Sequence, residues 1–183
     1  MENAQTPSDA PPAHSRRETH PAVSILVLLA SILLATGVGL CGALATSAHV
    51  TGWYADAEKP SWTPPDIVFG PVWTALYLAM AVAAWLVWSR RHDGDVRPAL
   101  AAYLVQLLLN ALWTPVFFAL YPVWGVAALW TAAGIIVALI GAVIFTILRF
   151  WPVHRLAAVL LIPYLAWIVY AAGLNVTIAA YAS

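Results

Sequence analysis

Charge is what this chain has least of. Lys, Arg, Asp and Glu together supply only 9% of its 183 residues, against 63% hydrophobic, a balance that excludes an ordinary water-soluble domain. There is a single cysteine, Cys41, so no intrachain disulfide can form and the redox compartment is not encoded. Formal net charge is zero, and no basic stripe interleaved with aromatics is present, which removes nucleic acid from the partners. Paired carboxylates and metal-ligand spacings of Cys and His are also missing, so no metal centre and no orthodox acid–base enzyme is expected. His49, His92 and His154 fall at the edges of apolar runs and read as solvated side chains.

Because charges are so few, the gaps between them mark the apolar runs. No Lys, Arg, Asp or Glu occurs from Thr19 to Ala55, from Ile67 to Ser89, from Pro98 to Leu148, or from Leu156 to Ser183. A helix rising about 1.5 Å per residue needs about 20 apolar residues to cross the hydrocarbon core, so the third gap holds two spans, with Tyr121-Pro122 as the turn. The sequence therefore predicts an all-α integral membrane protein, a bundle of five spans at about 22–48, 67–89, 98–120, 123–148 and 156–181. The first run is too long for the h-region of a signal peptide and reads as a retained span. Residues 1–20, rich in Pro, Ala, Ser and charge, are expected to be a disordered tail.

Seven of the eight basic residues fall at one end of these spans: Arg16, Arg17, Arg90, Arg91, Arg97, Arg149 and Arg155; only Lys59 falls at the other. The positive-inside rule then gives a cytoplasmic N-terminus and an outward C-terminus, with a bacterial cell envelope as the expected host.

Packing in lipid relies on small residues that let backbones approach. Ala35, Gly39 and Ala43 in the first span, and Gly134, Ala138 and Ala142 in the fourth, recur every four residues and should meet a neighbouring helix, in this chain or in a second copy. The third span carries Tyr103, Gln106, Asn110, Trp113 and Phe117 on one stripe, the second Trp73, Tyr77, Met80, Ala84 and Trp88, and the fifth Tyr164, Trp167, Ala171, Leu174 and Ile178, with Asn175 beside it. Gln106 and Asn110 must find partners in hydrocarbon, so they face another helix, a water or a ligand.

Of the ten tryptophans, Trp53, Trp62, Trp85, Trp88, Trp124 and Trp151 suit an interfacial belt, whereas Trp73, Trp113, Trp130 and Trp167 lie a turn or more inside their spans. Trp73 and Trp113 fall about 10 Å below the outer surface, with Asn110 and Trp167 near the middle, so one outward-opening cavity can be bordered by all four. Above it runs the only long loop, from about His49 to Asp66, stiffened by Pro60, Pro64 and Pro65 and anchored by Trp53, Tyr54 and Trp62.

Trp53-Tyr54, then Lys59-Pro60-Ser61-Trp62-Thr63-Pro64-Pro65, then Phe69-Gly70-Pro71-Val72-Trp73-Thr74, with Leu76-Tyr77 and Met80, resemble the opening signature of the translocator protein family, the tryptophan-rich sensory proteins. Tyr103, Gln106-Leu107, Asn110, Trp113 and Phe117-Phe118 resemble its third helix; Pro163-Tyr164, Trp167 and Leu174-Asn175 resemble its fifth, so the likeness covers about residues 22–181.

The resemblance implies a receptor or sensor, usually a homodimer, that binds porphyrins such as protoporphyrin IX under the first loop and regulates tetrapyrrole handling or a stress response. In some members the pocket also takes sterols and drugs. No cofactor is required; the tetrapyrrole is the ligand. The implied pocket comprises Trp53, Tyr54, Trp62, Trp73, Tyr77, Asn110, Trp113, Phe117, Trp167 and Ala171. Trp73 and Trp167 match positions associated with light-dependent porphyrin breakdown in some bacterial members, the one enzymatic alternative, with porphyrin or sterol translocation as another. The sterol pattern that closes the fifth helix of animal members is absent, since only Ala182 and Ser183 follow Tyr181. A coupled transporter would show intramembrane ionisable groups and two similar halves, and five uncharged spans provide neither.

Overall fold

The computed structural model describes residues 21–183, and the tail expected to be disordered lies outside them. Five helical segments are long and apolar enough to span a membrane: α1 (Pro21–Val50), α3 (Asp66–Ser89), α4 (Arg97–Phe118), α6 (Val126–Phe150) and the nearly continuous pair α7 (Arg155–Leu160) and α8 (Ile162–Tyr181). Two short helices, α2 (Trp53–Asp56) and α5 (Tyr121–Trp124), sit in the connections at the end opposite the arginines.

Proline and glycine set the boundaries. Pro64 and Pro65 precede α3, whose first residue, Asp66, suits the positive end of the helix dipole. Pro98 occupies the first turn of α4, where its missing N–H costs nothing. The expected turn at Tyr121-Pro122 is itself one helical turn, and Gly125 ends it at φ 57°, a conformation that side chains with a Cβ rarely adopt. The fourth span therefore starts at Val126 rather than at 123, and the third stops at Phe118 rather than at 120. Pro163 cannot donate to the preceding turn, and the fifth span is interrupted there between α7 and α8. His154 caps α7, its Nδ1 accepting from the Ala157 N–H at 3.4 Å.

The spans form a circuit in which α1 lies beside α3 and α4, α4 beside α6, α6 beside α7 and α8, and α7 beside α3. Met80, Leu129, Ile136, Leu139, Tyr164 and Ile168 fill its interior. By contrast, α1 is peripheral: only Ala35 and Thr46 are buried along it, and Leu26, Leu29, Leu33 and Leu44 face outward. Its upper half touches α3 through Gly39, where a Cβ would overlap the Tyr77 ring; its lower half is held by the Trp85 indole, which donates to the Ser24 carbonyl at 3.0 Å. The small residues of the fourth span do not all turn inward. Gly134 and Ala138 are exposed, and a Cβ on Gly134 would meet nothing within 4 Å, so that face meets no helix of this chain.

Candidate functional site

The third-span stripe is buried along its length and carries the polar interior of the bundle. Tyr77 donates its hydroxyl to Asn110 Oδ1 at 2.7 Å, and Asn110 Nδ2 donates to the Tyr164 hydroxyl at 3.0 Å. One turn higher, the Trp113 indole donates to Asn175 Oδ1 at 3.1 Å, and Asn175 Nδ2 donates to the Leu129 carbonyl at 3.0 Å. Two amides thus tie α3, α4, α6 and α8 together in a medium where an unpaired amide is costly. At the arginine-rich end of the same stripe, Tyr103 stacks on Phe150 with ring centroids 6.3 Å apart.

Against this network a cavity of about 670 Å³ opens between α1, α3, α4 and α8, beneath the first loop. Its walls are aromatic: Phe69, Trp73 and Tyr77 from α3, Trp113 and Phe118 from α4, and Trp167 from α8, with Tyr54 of α2 overhead and Ala171 leaving room beside Trp167. Trp73 stacks on Tyr77 at 5.4 Å between centroids and lies 6.4 Å from Trp113, while Trp167 meets Phe69 edge-on at 5.7 Å. The fourth wall is α1, through Thr36, Gly39, Leu40, Ala43, Thr46 and Ser47.

Hydroxyls are present, but most are already committed. Thr36, Thr46 and Thr74 donate to the carbonyls of Ile32, Gly42 and Gly70 in their own helices at 2.6, 2.8 and 2.9 Å. These three threonines therefore offer a ligand methyl groups and oxygen lone pairs, whereas the buried indole N–H of Trp167, in the same lining, has no partner and is a free donor. Asp66 is the single formally charged residue lining the cavity, at its mouth.

The loop above is pinned at both ends. The Trp53 indole donates to the Phe118 carbonyl at 2.8 Å and packs on Tyr121 at 4.0 Å between centroids, which holds α2 over α4. Lys59 donates to the Tyr54 and Ala55 carbonyls at 2.7 and 3.3 Å, capping α2, and its ammonium lies 4.5 Å from the Tyr54 ring centroid. Farther along, the Trp62 carbonyl accepts from the Tyr170 hydroxyl at 2.6 Å, and its indole edge would lie 3.5 Å from a Cβ on Gly173. Burial, with Asp66 and Tyr170 nearby, pushes the Tyr54 phenol up to about 12, so it stays neutral at physiological pH.

Of the residues expected at the pocket, Tyr54, Trp73, Tyr77, Trp113, Trp167 and Ala171 border the cavity. Trp53, Trp62, Asn110 and Phe117 are not among its lining. Trp53 and Trp62 fasten the loop from outside, Asn110 sits fully buried behind Tyr77, and Phe117 is buried against Trp113. Phe69, Phe118, Asp66 and the α1 residues also line the cavity but were not among the residues expected there. Phe69 had a signal, lying four residues before Trp73 on the same stripe. Gly39 and Ala43 belong to the small-residue repeat of α1, which marks a packing face without distinguishing a neighbouring helix from a cavity.

Comparison with known proteins assigns the chain to a family. The chain is 40% identical over 157 residues to the tryptophan-rich protein TspO of Archaeoglobus fulgidus, covering 85% of this chain and 97% of that one. It is 38% identical to the tryptophan-rich sensory protein of Cereibacter sphaeroides over 78% of this chain and 87% of that one. With the translocator protein of Homo sapiens it shares 40% identity over 67% of this chain and 70% of that one. The TspO/MBR family model matches residues 30–181, and the chain is a multi-pass integral membrane protein of the TspO/MBR family.

Proposed function

We propose that the chain is a membrane receptor or sensor that binds a planar tetrapyrrole of the protoporphyrin IX kind beneath its first loop and so regulates tetrapyrrole handling or a stress response. The observation that carries this reading is the cavity: about 670 Å³, walled by seven aromatic rings and closed above by a loop pinned at both ends. Its size suits a ligand of drug or cofactor dimensions. Offset stacking of an indole on a macrocycle adds about 0.5–1.5 kcal/mol beyond area burial, and Trp73, Trp113 and Trp167 border the same space. The committed hydroxyls favour a flat apolar body, with polar substituents directed to the mouth.

A second reading, light-dependent breakdown of the bound porphyrin, draws support from Trp73 and Trp167 both bordering the cavity. One experiment separates the two. Purified protein is titrated with protoporphyrin IX in the dark while tryptophan fluorescence is followed, then illuminated while the porphyrin spectrum is recorded for wild type, Trp73→Phe and Trp167→Phe. The receptor reading requires saturable quenching in the dark. The photochemical reading requires a spectral change under light that either substitution abolishes. We further propose that the outward Gly134 and Ala138 face meets a second copy, so Gly134→Leu should shift a dimer towards monomers in sedimentation.

A further inference from the structure

A second hollow lies at the other end of the bundle. Between α4 and α6, at the arginine-rich end, a groove of about 360 Å³ runs along Ala101, Ala102 and Val105 on one side and Ala142 and Phe145 on the other, with Arg149 as its single charged lining residue. The alanines leave the space, and Val105 and Phe145, each 53% exposed, show that it opens to the surrounding membrane rather than into the bundle. From Arg149 to Ala142 is two helical turns, about 10 Å, so the groove descends from headgroup depth into hydrocarbon.

Arg149 is turned towards this groove. Its guanidinium carbon lies 5.7 Å from the Phe145 ring centroid, at the outer limit of a cation–π contact. Among the described residues the only ion pair is Arg90 with Asp93, so no carboxylate neutralises Arg149. The nearest acid in sequence to the α4 wall, Asp95, is occupied, its Oδ1 accepting from the Arg97 N–H at 3.0 Å. An uncompensated cation at the head of an apolar channel open to lipid complements one occupant: an amphiphile with a negative head and a hydrocarbon tail.

We propose that this groove is a binding site for an anionic phospholipid of the arginine-rich leaflet, one acyl chain lying along Ala101, Val105 and Phe145 and the phosphate on Arg149. The cytoplasmic leaflet, where the positive-inside rule puts this end, is the one that carries anionic lipid. The site is separate from the cavity beneath the loop and does not depend on what that cavity holds.

The test uses the full-length protein in detergent, titrated with phosphatidylglycerol or with phosphatidylcholine of the same acyl chains, with bound lipid counted by native mass spectrometry. One basic residue near the headgroups corresponds to a preference of about fivefold for the anionic lipid. Arg149→Gln should remove that preference by lowering phosphatidylglycerol retention more than that of phosphatidylcholine, whose choline cation offsets its own phosphate. Ala101→Phe, which fills the groove from its exposed side, should reduce retention of both lipids in a protein that keeps its helical circular dichroism. Equal affinity for the two lipids in wild type overturns the proposal, as does a wild-type preference in Arg149→Gln. It is also overturned if Ala101→Phe shifts the monomer–dimer balance while leaving lipid retention untouched, because a second copy would then occupy the groove.

Discussion

Gly39→Ala isolates the contact that joins the cavity to the polar network. A Cβ at this position would lie 2.7 Å from Tyr77 Cδ2 and 3.0 Å from Cζ, distances that force the ring to move. Tyr77 cannot move without cost, because its hydroxyl donates to Asn110 Oδ1 at 2.7 Å. Overpacking costs about 1–3 kcal/mol, and an acceptor left unpaired in the interior about 1–3 kcal/mol more. The sum is roughly 2–6 kcal/mol, and we expect the lower half, since the ring can still turn about χ1. The assay is equilibrium unfolding of purified protein in detergent, for Gly39→Ala, Tyr77→Ala and the double variant. Truncating Tyr77 removes the atoms the new methyl would strike, so Gly39→Ala should be nearly neutral in that background. A neutral Gly39→Ala in wild type would refute the reasoning, as would an equal cost in both backgrounds.

Three other outcomes follow from the same geometry. Trp53→Phe keeps a ring against Tyr121 but loses the bond to the Phe118 carbonyl; it should cost about 1 kcal/mol and raise amide exchange through residues 53–59, read by mass spectrometry. Asp66→Asn removes the charge at the cavity mouth, so a dianionic porphyrin should bind about two- to fivefold more tightly at low salt, with the gain fading as ionic strength rises. Tyr54, whose phenol is raised from 10.0 to about 12, favours the native state fully below pH 10, and that contribution is lost as pH climbs towards 12. Alkaline melts of wild type and Tyr54→Phe should therefore diverge only in that window.

Much of the architecture was legible because lipid imposes one rule on every span: charges stay out. The charge gaps located all five membrane helices, and the errors at their ends arise where local chemistry overrides the rule, as at Gly125, which gives Tyr121–Trp124 a separate turn. Periodicity also carried the aromatic stripes, since residues three and four apart share a face whatever the helix packs against. It could not say which members of a stripe border a cavity and which lie behind it. Asn110 and Trp113 are one turn apart, yet only Trp113 lines the space, because Tyr77 reaches over Asn110 from α3. Trp62, which the resemblance implies at the pocket, is not among the lining of this cavity; its carbonyl accepts from the Tyr170 hydroxyl on α8. On α1 the small-residue repeat marks the face that holds Gly39 and Ala43, but small residues suit a close helix and an open space alike, so the repeat alone does not identify a cavity wall.

The central claim is that the cavity beneath the loop is where the tetrapyrrole binds. Ala171 borders that cavity and is 6% exposed, whereas Val176, five residues on in the same helix, is 40% exposed. Protoporphyrin IX titrated in the dark should quench tryptophan fluorescence saturably in wild type and in Val176→Phe, and should lose saturable binding in Ala171→Trp, which fills the space beside Trp167. Wild-type quenching by Ala171→Trp, in a protein of unchanged helical content, would contradict the account.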